Sequence, residues 1–588
     1  MRIQLSEHFT YRKLLRFTLP SVIMMVCTSI YGVVDGVFVS NFVGSDAFAA
    51  VNLIMPFLMV LGAVGFMLGT GGSALVAYTL GAGNEKRANE IFSLLIYVLI
   101  GLGAVFTIGG IALLTPMSRL LGANETMLPV CVSYGRIVLL GLIPYMLQNT
   151  FQSFLVTAER PQLGLYVTIA AGLTNIALDA LFVAVLQWGV EGAALATILS
   201  QFVGGVIPLV YFLRPNSSKL RLGRTAFHGR ALLKACANGS SEFMTNISMS
   251  VVNMLYNWQL MRLMGSGGVA VYGVIMYVNF IFIAIFLGYS MGSAPIVGYH
   301  YGAGNRAELR GLLRKSLCII TVMSVVLTAA ALLLARPLSL IFMSKEPTLL
   351  PVTIRAFSIY SLSFLMAGYN IYASSFFTAL NDGFISALIS FARTLVFQVA
   401  AVTVLPVLWD IDGVWAAVVA AETLALLLSA VCLVGKRKKY GYAEGGEDMT
   451  TIQEFNQIDG RISSLYHAAA LKMGLSDSEF RILYTLAVNA PGYLQSALRE
   501  ATGMGRSTVN SALKKLEREG ILTLSPGSGR HTCVSLTAQG HRLADRTVCR
   551  LIRLEDRIYA GWTAEEQALL LRLNRDFTEK LEAIVASL

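Results

Sequence analysis

The sequence predicts an all-α membrane protein with twelve transmembrane helices in two similar six-helix bundles, followed by a soluble domain. Three observations lead to this prediction. Of the 588 residues, 55% are hydrophobic and only 13% are charged, which is too apolar for a surface that is wet throughout. The apolar composition stops near Val434. Within the apolar part, the motif Gly-Ala-Gly-Asn stands at residues 81–84 and again at residues 302–305.

The apolar part contains about twelve segments of roughly 20 residues between Phe17 and Val434, each long enough to cross a bilayer as a helix. Six of these segments fall in each half of the apolar part. An even number of spans per repeat gives both repeats the same orientation, so their symmetry axis should run along the membrane normal. We therefore expect bundles at residues 1–220 and 221–440, a linker at 441–449 and a soluble domain at 450–588.

Lysine and arginine are concentrated in alternate loops, for example at Lys86 and Arg306 and in the run 436–439. The opposite loops hold few basic residues, the clearest being Arg119 and Arg336. Because basic loops stay on the cytoplasmic side, both termini are predicted to be cytoplasmic, and the protein is predicted to lie in the plasma (inner) membrane of a bacterium. This topology explains most of the net charge of +11, which is therefore no indication of nucleic-acid binding.

Several classes of function find little support in the sequence. The seven cysteines stand singly, so neither a disulfide framework nor a zinc site is indicated. No phosphate-binding P-loop, nucleophile elbow or metal-ligand spacing is present in the sequence, and we expect neither an enzyme nor a cofactor. The first apolar run is long enough to remain in the bilayer, so no cleaved signal peptide is expected.

Acidic side chains inside apolar spans are candidates for function, because an ionised carboxylate in the bilayer costs at least about 2.5–3.5 kcal/mol. Asp35 lies in the first span. Asp179 lies in the fifth, one helical turn after Asn175 and on the same face. Two carboxylates with amides nearby could hold a proton or a sodium ion. The alternatives are that Asp35 only bonds a neighbouring helix and that Asn175 and Asp179 form a structural polar pair.

Three further charged residues lie in the second half of the apolar part. Glu242 stands at the start of the predicted seventh span, Arg393 in the eleventh and Glu422 in the twelfth. They are candidates for substrate binding or ion coupling. Arg393 could equally serve as the partner of a carboxylate, and both glutamates could lie near the ends of their spans. The many methionine and aromatic side chains would suit a cavity for varied apolar cations, although such faces also contact lipid.

Several motifs, taken in their order along the chain, resemble those of one transporter family. They are Pro20, Tyr31-Gly32-Val33-Val34-Asp35, the doubled Gly-Ala-Gly-Asn, Asn175-x-x-x-Asp179 and the run from Gly189 to Thr197. Over about residues 14–440 the chain is similar to MATE (multidrug and toxic compound extrusion) transporters. The resemblance implies a twelve-span exporter of small amphipathic organic cations, driven by a proton or sodium gradient and needing no other cofactor.

The resemblance also implies a cation site in the first bundle. Its proton- or sodium-coupling residues would be Asp35, Gln152, Asn175, Asp179 and Thr197. Gln152 departs from the asparagine usual in the family; it keeps a donor and an acceptor but has a longer reach, so the choice between H⁺ and Na⁺ stays open. Glu242 resembles an acidic residue of the bacterial multidrug branch. The implied mechanism is antiport by competition, in which ionised Asp35 and Asp179 hold the organic cation until protons or sodium replace it.

The soluble domain alternates helices with one short two-stranded segment. Ser476 followed by Glu479 predicts a capping box at a helix start. Residues 494–501 and 505–519, with a turn at Gly503, read as a helix-turn-helix. Residues 520–524 and 533–537 read as the strands of a hairpin with a basic tip. A helix-turn-helix followed by such a hairpin predicts a winged helix.

The domain resembles MarR-type transcription regulators, with the end of the wing at Leu536-Thr537-Ala538-Gln539-Gly540. The resemblance implies dimerisation through the last two helices and DNA binding. The groove- and phosphate-facing residues would be Arg506, Ser507, Thr508, Asn510, Ser511, Lys514 and, on the wing, Arg530. MarR wings usually carry an acidic and a basic residue at the tip, and this wing keeps only the basic one, Arg530. A domain that only dimerises or senses a ligand, and a fusion without coupling, are the alternatives.

Two interpretations of the whole chain follow. The first is an ion-coupled multidrug antiporter whose cytoplasmic domain senses substrate, regulates transcription or does both. The second is a membrane-tethered transcription regulator whose transporter-like part serves as a ligand receptor. They differ in whether the carboxylate site couples ion flow, and the retention of Asp35, Asn175, Asp179 and Thr197 favours transport.

Overall fold

The structure is a computed structural model that describes residues 3–43, 45–343, 348–442, 451–489, 491–527 and 531–586. These residues form two compact units, Met1–Gly446 and Glu447–Leu588. The first unit is helical throughout its regular structure, and the second adds a small sheet.

In the part of the chain that the structure describes, the first bundle contains seven α-helices and one π-helical segment. Their bounds are α1 Tyr11–Phe42, α2 Ser45–Gly81, α3 Glu85–Leu120, α4 Met127–Leu140, α5 Leu142–Thr157, α6 Pro161–Asp179, the π segment Ala180–Val185, and α7 Gly189–Leu213. The second bundle repeats this order. Its elements are α8 Gly229–Met264, α9 Ser266–Gly302, α10 Arg306–Met343, α11 Leu350–Ser361, α12 Phe364–Ala379, α13 Gly383–Phe391, a second π segment Ala392–Val396, and α14 Phe397–Tyr440.

Eight helical stretches in the described residues are long and apolar enough to cross a membrane, or ten if each of two bent helix pairs is one span. One of the eight, Gly383–Tyr440, contains non-helical backbone at Trp409 and Asp410, where two helices meet. Helix α8 has the length of a span but does not pass this composition test. The protein is therefore a multi-pass membrane protein, and the count of twelve spans stays a prediction.

The two bundles repeat the same helix packing. In the first bundle α1 packs against α6 and α2 against α5; in the second, α8 packs against α13 and α9 against α12. Between the bundles the contacts are reciprocal, since α1 packs against α9 and α2 against α8. This exchange of first and second helices is what two repeats of the same orientation produce.

The duplicated glycine motif explains how the bundles meet. A Cβ on Gly81 would overlap the carbonyl oxygen of Tyr299, and a Cβ on Gly302 would overlap that of Tyr78. Each copy therefore lets the backbone of α2 or α9 touch the other, and the rings of Tyr78 and Tyr301 lie 5.5 Å apart beside them. Small residues at helix crossings allow this close approach.

The last two residues of each motif end one helix and begin the next. Gly83 and Gly304 have φ angles of 79° and 69°, a left-handed backbone that glycine adopts without strain. The side-chain oxygens of Asn84 and Asn305 then accept hydrogen bonds, both 3.0 Å long, from backbone N–H groups three residues later. The motif is thus a helix crossing, a C-terminal turn and an N-cap in four residues.

We predict that Gly302→Ala destabilises the membrane unit, because its methyl group would overlap the Tyr78 carbonyl and force α2 from α9. Overpacking of this kind costs about 1–3 kcal/mol. Thermal unfolding of the purified protein in detergent measures the effect. Gly101→Ala is the matched control, since its Cβ would meet nothing within 4 Å and should leave the Tm unchanged or slightly raised. Equal Tm values for the two variants would contradict the crossing.

The N-terminal segment before α1 connects the two bundles. The backbone N–H of Leu5 donates to Glu159, at the end of α5, over 3.0 Å. That of Phe9 donates to Glu308, in α10, over 2.9 Å, and Lys315 donates to the Phe9 carbonyl over 2.6 Å. Leu5 and Phe9 are fully buried. The segment is therefore anchored to both bundles at the end that carries the duplicated motif.

The described residues of the second unit form seven helices and a three-stranded sheet. The elements are α15 Thr451–Lys472, α16 Asp477–Val488, β1 Tyr493–Leu494, α17 Gln495–Thr502, α18 Arg506–Arg518, β2 Leu522–Pro526, β3 Thr532–Leu536, α19 Ala538–Arg546, α20 Val548–Tyr559 and α21 Ala564–Ala586. The strand order is β1-β3-β2, with both pairs antiparallel. The predicted hairpin is present as β2 and β3, whereas the two-residue β1 is too short to show in the sequence pattern.

The second unit has its own core and the predicted helix start. Leu483, Leu498, Leu513 and Val534, from three helices and the central strand, are buried together. The predicted capping box at Ser476 is present. Helices α17 and α18, joined at Gly503 with φ 63°, form the helix-turn-helix, and β2 and β3 follow it as the wing.

Candidate functional site

Asp35 and Asp179 face each other between α1 and α6. Asp179 is the last residue of α6 and is fully buried, and Asp35 on α1 is half-buried. Their carboxyl groups are close enough to share a hydrogen bond when one of them carries a proton. The π segment begins directly after Asp179, and such π-helical turns are frequent at functional sites.

The close approach of α1 and α6 depends on a glycine. A Cβ on Gly172, in the turn before Asn175, would overlap the ring of Tyr31. Tyr31 is held in turn by a hydrogen bond of 3.1 Å with Thr28. Without a side chain at Gly172, the two helices can bring Asp35 and Asp179 together.

Three of the four carboxylate oxygens of the aspartate pair lack donors among the described residues. Within the described part of the chain, Asp35 Oδ1 and both carboxylate oxygens of Asp179 are buried without a hydrogen-bond donor. The amide nitrogens of Asn175 and Gln152 are likewise buried without an acceptor. Buried carboxylates need a compensating charge, so the pair has the chemistry to take up a proton or a cation.

The structure adds Tyr134 to this site. It lies on α4, is 3% exposed, and is close enough to both Asp35 and Asp179 to interact electrostatically with each. A tyrosine in an apolar span carries no distinguishing signal, and the chain has 23 of them. Only the packing of α4 into the bundle reveals its position.

Gln152 and Thr197 lie on α5 and α7, two helices that pack against α6. Gln152 is buried in α5, and the hydroxyl of Thr197 donates within α7 to the Ala193 carbonyl over 3.0 Å. No hydrogen bond among the described residues joins either one to Asp35 or Asp179. Their predicted roles in coupling stay predictions.

In the second bundle, Arg393 and Glu422 form a buried ion pair. The Nε of Arg393 lies 2.8 and 2.9 Å from the two carboxylate oxygens of Glu422, and its NH2 group lies 2.8 Å from one of them. The side chains are 15% and 5% exposed. Arg393 stands in the second π segment. Of the two roles considered for Arg393, the structure shows the contact with a carboxylate.

Glu242 joins this group from α8. It lies more than three turns inside the helix, which begins at Gly229, because α8 extends beyond the apolar segment that Glu242 begins. Glu242 interacts electrostatically with Arg393 but has no hydrogen bond to it. The second bundle therefore brings together two carboxylates and one guanidinium.

The second unit exposes most of its predicted DNA-contacting residues. Arg506, Ser507, Thr508, Ser511 and Lys514 of α18 are exposed. Asn510 is half-buried and accepts a hydrogen bond of 2.6 Å from Gln495 in α17. Arg530, predicted on the wing, lies outside the described residues.

The MatE family profile matches residues 20–181 and 243–403, one segment in each bundle and together more than half of the chain. The chain belongs to the MatE family. The two matched segments contain Asp35, Asp179 and Arg393 and agree with the repeated packing of the bundles.

Curated relatives of this MatE chain are export proteins. The multidrug export protein MepA of Staphylococcus haemolyticus (strain JCSC1435) is 22% identical over 435 residues, which are 74% of this chain and 95% of the relative. MepA of Staphylococcus saprophyticus subsp. saprophyticus is 23% identical over 425 residues, 71% of this chain and 92% of the relative. Each match covers nearly all of the relative and about three quarters of this chain.

Solved MATE structures share the fold of the membrane unit. A MATE transporter in complex with MaL6 has a TM-score of 0.71 and 22% identity, covering 74% of this chain and 98% of that one. A multidrug resistance MATE transporter of the MOP superfamily, in its outward-facing conformation, has a TM-score of 0.70 and 23% identity, with coverages of 74% and 98%. Their fold confirms the predicted architecture of paired bundles.

The second unit carries a MarR family domain, matched over residues 473–531. This range extends from the end of α15 to the wing. An ion pair fixes the helix-turn-helix within it, because Lys515 Nζ on α18 lies 2.5 Å from Glu479 Oε1 on α16. Burial opposes ionisation of Glu479, but hydrogen bonds from Lys515 and Ser476 outweigh it and lower its pKa.

We predict that Glu479→Gln lowers the Tm of residues 447–588 by about 2–4 °C at neutral pH. Glutamine retains the capping bond to Ser476 and removes the charge that faces Lys515. Because the folded-state pKa of Glu479 is lowered, its stabilisation is present above the ordinary carboxyl pKa and is lost as pH falls through the folded value. The difference in Tm should therefore vanish in acid. Glu519→Gln, 3.9 Å from the same lysine, is the control; an equal, pH-independent shift in both variants would contradict this assignment.

Proposed function

We propose that the protein exports amphipathic organic cations across the plasma (inner) membrane of a bacterium in exchange for H⁺ or Na⁺. In this proposal both termini and the MarR domain are cytoplasmic. The observation that supports antiport most directly is that Asp35 and Asp179 face each other. Three of their four carboxylate oxygens are buried without a donor among the described residues. The names of the MepA relatives support the choice of multidrug substrates.

The aspartate pair supplies the competition that antiport needs. Two adjacent carboxylates inside a bilayer repel each other and are poorly solvated, so they bind one positive charge strongly. An organic cation and the coupling ion would therefore exclude each other. When protons or sodium enter from outside, the attraction for the organic cation is lost and it leaves. Asn175, Gln152 and Thr197 would contribute polar groups around the same site, and Tyr134 would line it.

The charged group in the second bundle is proposed as a second participant in transport. Glu242, Arg393 and Glu422 together carry two negative charges and one positive charge when all are ionised. Their net charge has the sign that attracts an organic cation. The pair of Arg393 and Glu422 also satisfies the rule that buried charges in a membrane occur with partners.

The MarR domain is proposed to regulate transcription through α18. Its exposed face offers Arg506 and Lys514 for phosphates and Ser507, Thr508 and Ser511 for hydrogen bonds. The final helices, α20 and α21, expose apolar side chains, including Leu554, Ile558, Leu573 and Leu581. A homodimer through these helices would cover them and would present two copies of α18 to DNA.

The experiment is gradient-driven efflux of ethidium from vesicles, with proton and sodium gradients imposed separately. Three chains are compared: wild type, Asp35→Asn, and a chain truncated after Tyr440. We expect efflux by wild type and by the truncated chain, and none by Asp35→Asn at equal expression. The gradient that drives efflux identifies the coupling ion.

The opposite result has an equally definite meaning. If no version transports ethidium under either gradient while the isolated MarR domain binds DNA, the membrane unit is a receptor for a tethered regulator and not an exporter. Full efflux by Asp35→Asn would remove the aspartate pair from the mechanism.

A further inference from the structure

The carboxylate of Glu422 has a second hydrogen-bond partner in addition to Arg393. The amide of Asn370, on α12, donates to Glu422 Oε2 over 2.8 Å and to its backbone carbonyl over 2.9 Å. Ser429 donates to Asn370 over 3.0 Å and fixes that amide. Asn370 and Ser429 are buried. These hydrogen bonds hold the carboxylate of Glu422 in place independently of Arg393.

Two tyrosine side chains lie near the same carboxylate. Tyr256 and Tyr360, both buried, are close enough to Glu422 to interact with its charge. Tyr272 stacks on Tyr256 with ring centroids 5.1 Å apart, and the Tyr256 hydroxyl donates to Gln398 over 2.9 Å. A carboxylate among fixed aromatic rings is the chemistry that recognises organic cations.

Glu242 offers a second carboxylate partner for the guanidinium of Arg393. Arg393 stands in the π segment Ala392–Val396, where the helix lacks its regular hydrogen-bond pattern. Glu242 is near enough to attract it but makes no hydrogen bond with it. A shift of the guanidinium from Glu422 towards Glu242 would exchange one carboxylate partner for another and would open Glu422 to a different cation.

The fold does not require this ion pair. Glu159 and Asn381, both left-handed residues after α5 and α12, occupy corresponding places in the two repeats. Counting from them puts Ala171 at the place of Arg393. Gly189 and Asp410, which also have left-handed backbones, correspond in the same way, and counting from them puts Gln201 at the place of Glu422. The first bundle packs the equivalent helices with neutral residues at both places.

We propose that Glu422 and its tyrosine neighbours form a second organic-cation site, and that the guanidinium of Arg393 occupies it until a substrate displaces it towards Glu242. The inference rests on the proposed function, because it assumes that organic cations enter the protein. Arg393 then acts as a tethered competitor: it neutralises Glu422 when the site is empty and assists release when a bound cation leaves.

This arrangement makes an unusual prediction about affinity. Removing a competitor that must be displaced makes binding tighter, although removing a charged residue from a binding site ordinarily weakens it. Arg393→Gln should therefore bind ethidium at least about tenfold more tightly than wild type, and should export it more slowly because release is no longer assisted. Glu422→Gln should bind more weakly, and the double variant should lose the gain.

The test measures ethidium binding to purified full-length protein by fluorescence, together with gradient-driven efflux. Arg355→Gln is the matched control, since its guanidinium pairs with Asp412 in the same bundle but is 70% exposed; its affinity should equal that of wild type. If Arg393→Gln does not fold, Arg393→Lys carries the test, because lysine is a point charge that cannot grip the carboxylate with two nitrogens and should give a smaller gain.

The outcomes separate this inference from the proposed function. Tighter binding with slower efflux in the Arg393 variants, reversed in the double variant, supports the tethered competitor. Wild-type transport with unchanged or weaker binding in the Arg393 variants overturns it and leaves the aspartate-coupled antiporter intact. Absence of ethidium binding and efflux in wild type rejects the exporter and, with it, this second site.

Discussion

Asp179→Asn is expected to weaken the binding of an organic cation by at least about 30-fold and to abolish the ion release that accompanies binding. Asp179 is fully buried, faces Asp35 and has no donor for either oxygen among the described residues. Removing the carboxylate that faces a bound cation in a buried site costs about 2–5 kcal/mol, and the lower figure corresponds to about 30-fold in Kd. Asparagine keeps the size of the side chain, so the effect isolates its charge.

The measurement is a titration of ethidium into purified protein in weak buffer, with a pH-sensitive dye to count released protons. A second titration at several sodium concentrations detects competition by Na⁺. Asp412→Asn is the control, because this aspartate forms an exposed pair with Arg355 and lies away from both proposed sites. Unchanged affinity and ion release in Asp179→Asn would show that the aspartate pair does not hold the exchanged charge.

The second large effect concerns the stability of the second bundle. Arg393→Gln should destabilise the protein by about 3–5 kcal/mol, because it leaves Glu422 charged and unpaired in a buried position. Glu422→Gln should cost less, since Glu242 remains to face the guanidinium. The double variant should recover much of the loss, because neither charge is then left alone.

A double-mutant cycle on thermal unfolding in detergent measures this coupling. Additive losses in the double variant would contradict a buried pair. Ethidium should raise the Tm of Arg393→Gln more than that of wild type, since a bound cation would replace the missing guanidinium. The same two variants thus report on stability and on the tethered competitor through separate readouts.

Much of the architecture could be predicted from composition and periodicity. The apolar segments, the duplicated Gly-Ala-Gly-Asn, the capping box at Ser476 and the helix-turn-helix are local patterns, and the structure confirms the helical bundles and the winged helix that they predict. The positions of Asp35 and Asp179 in apolar spans were also visible, because a charge in a bilayer stands out against its neighbours.

Composition and local motifs identify the class of the protein, its duplication and its main titratable candidates. Which of these candidates meet depends on how the helices pack. Helical periodicity reports which face a residue occupies but not which helix lies opposite, so the pairing of Arg393 with Glu422, the placement of Tyr134 beside the aspartates and the crossing of Gly81 with Tyr299 could not be inferred. Each of these contacts joins residues far apart in the chain, and packing alone brings them together.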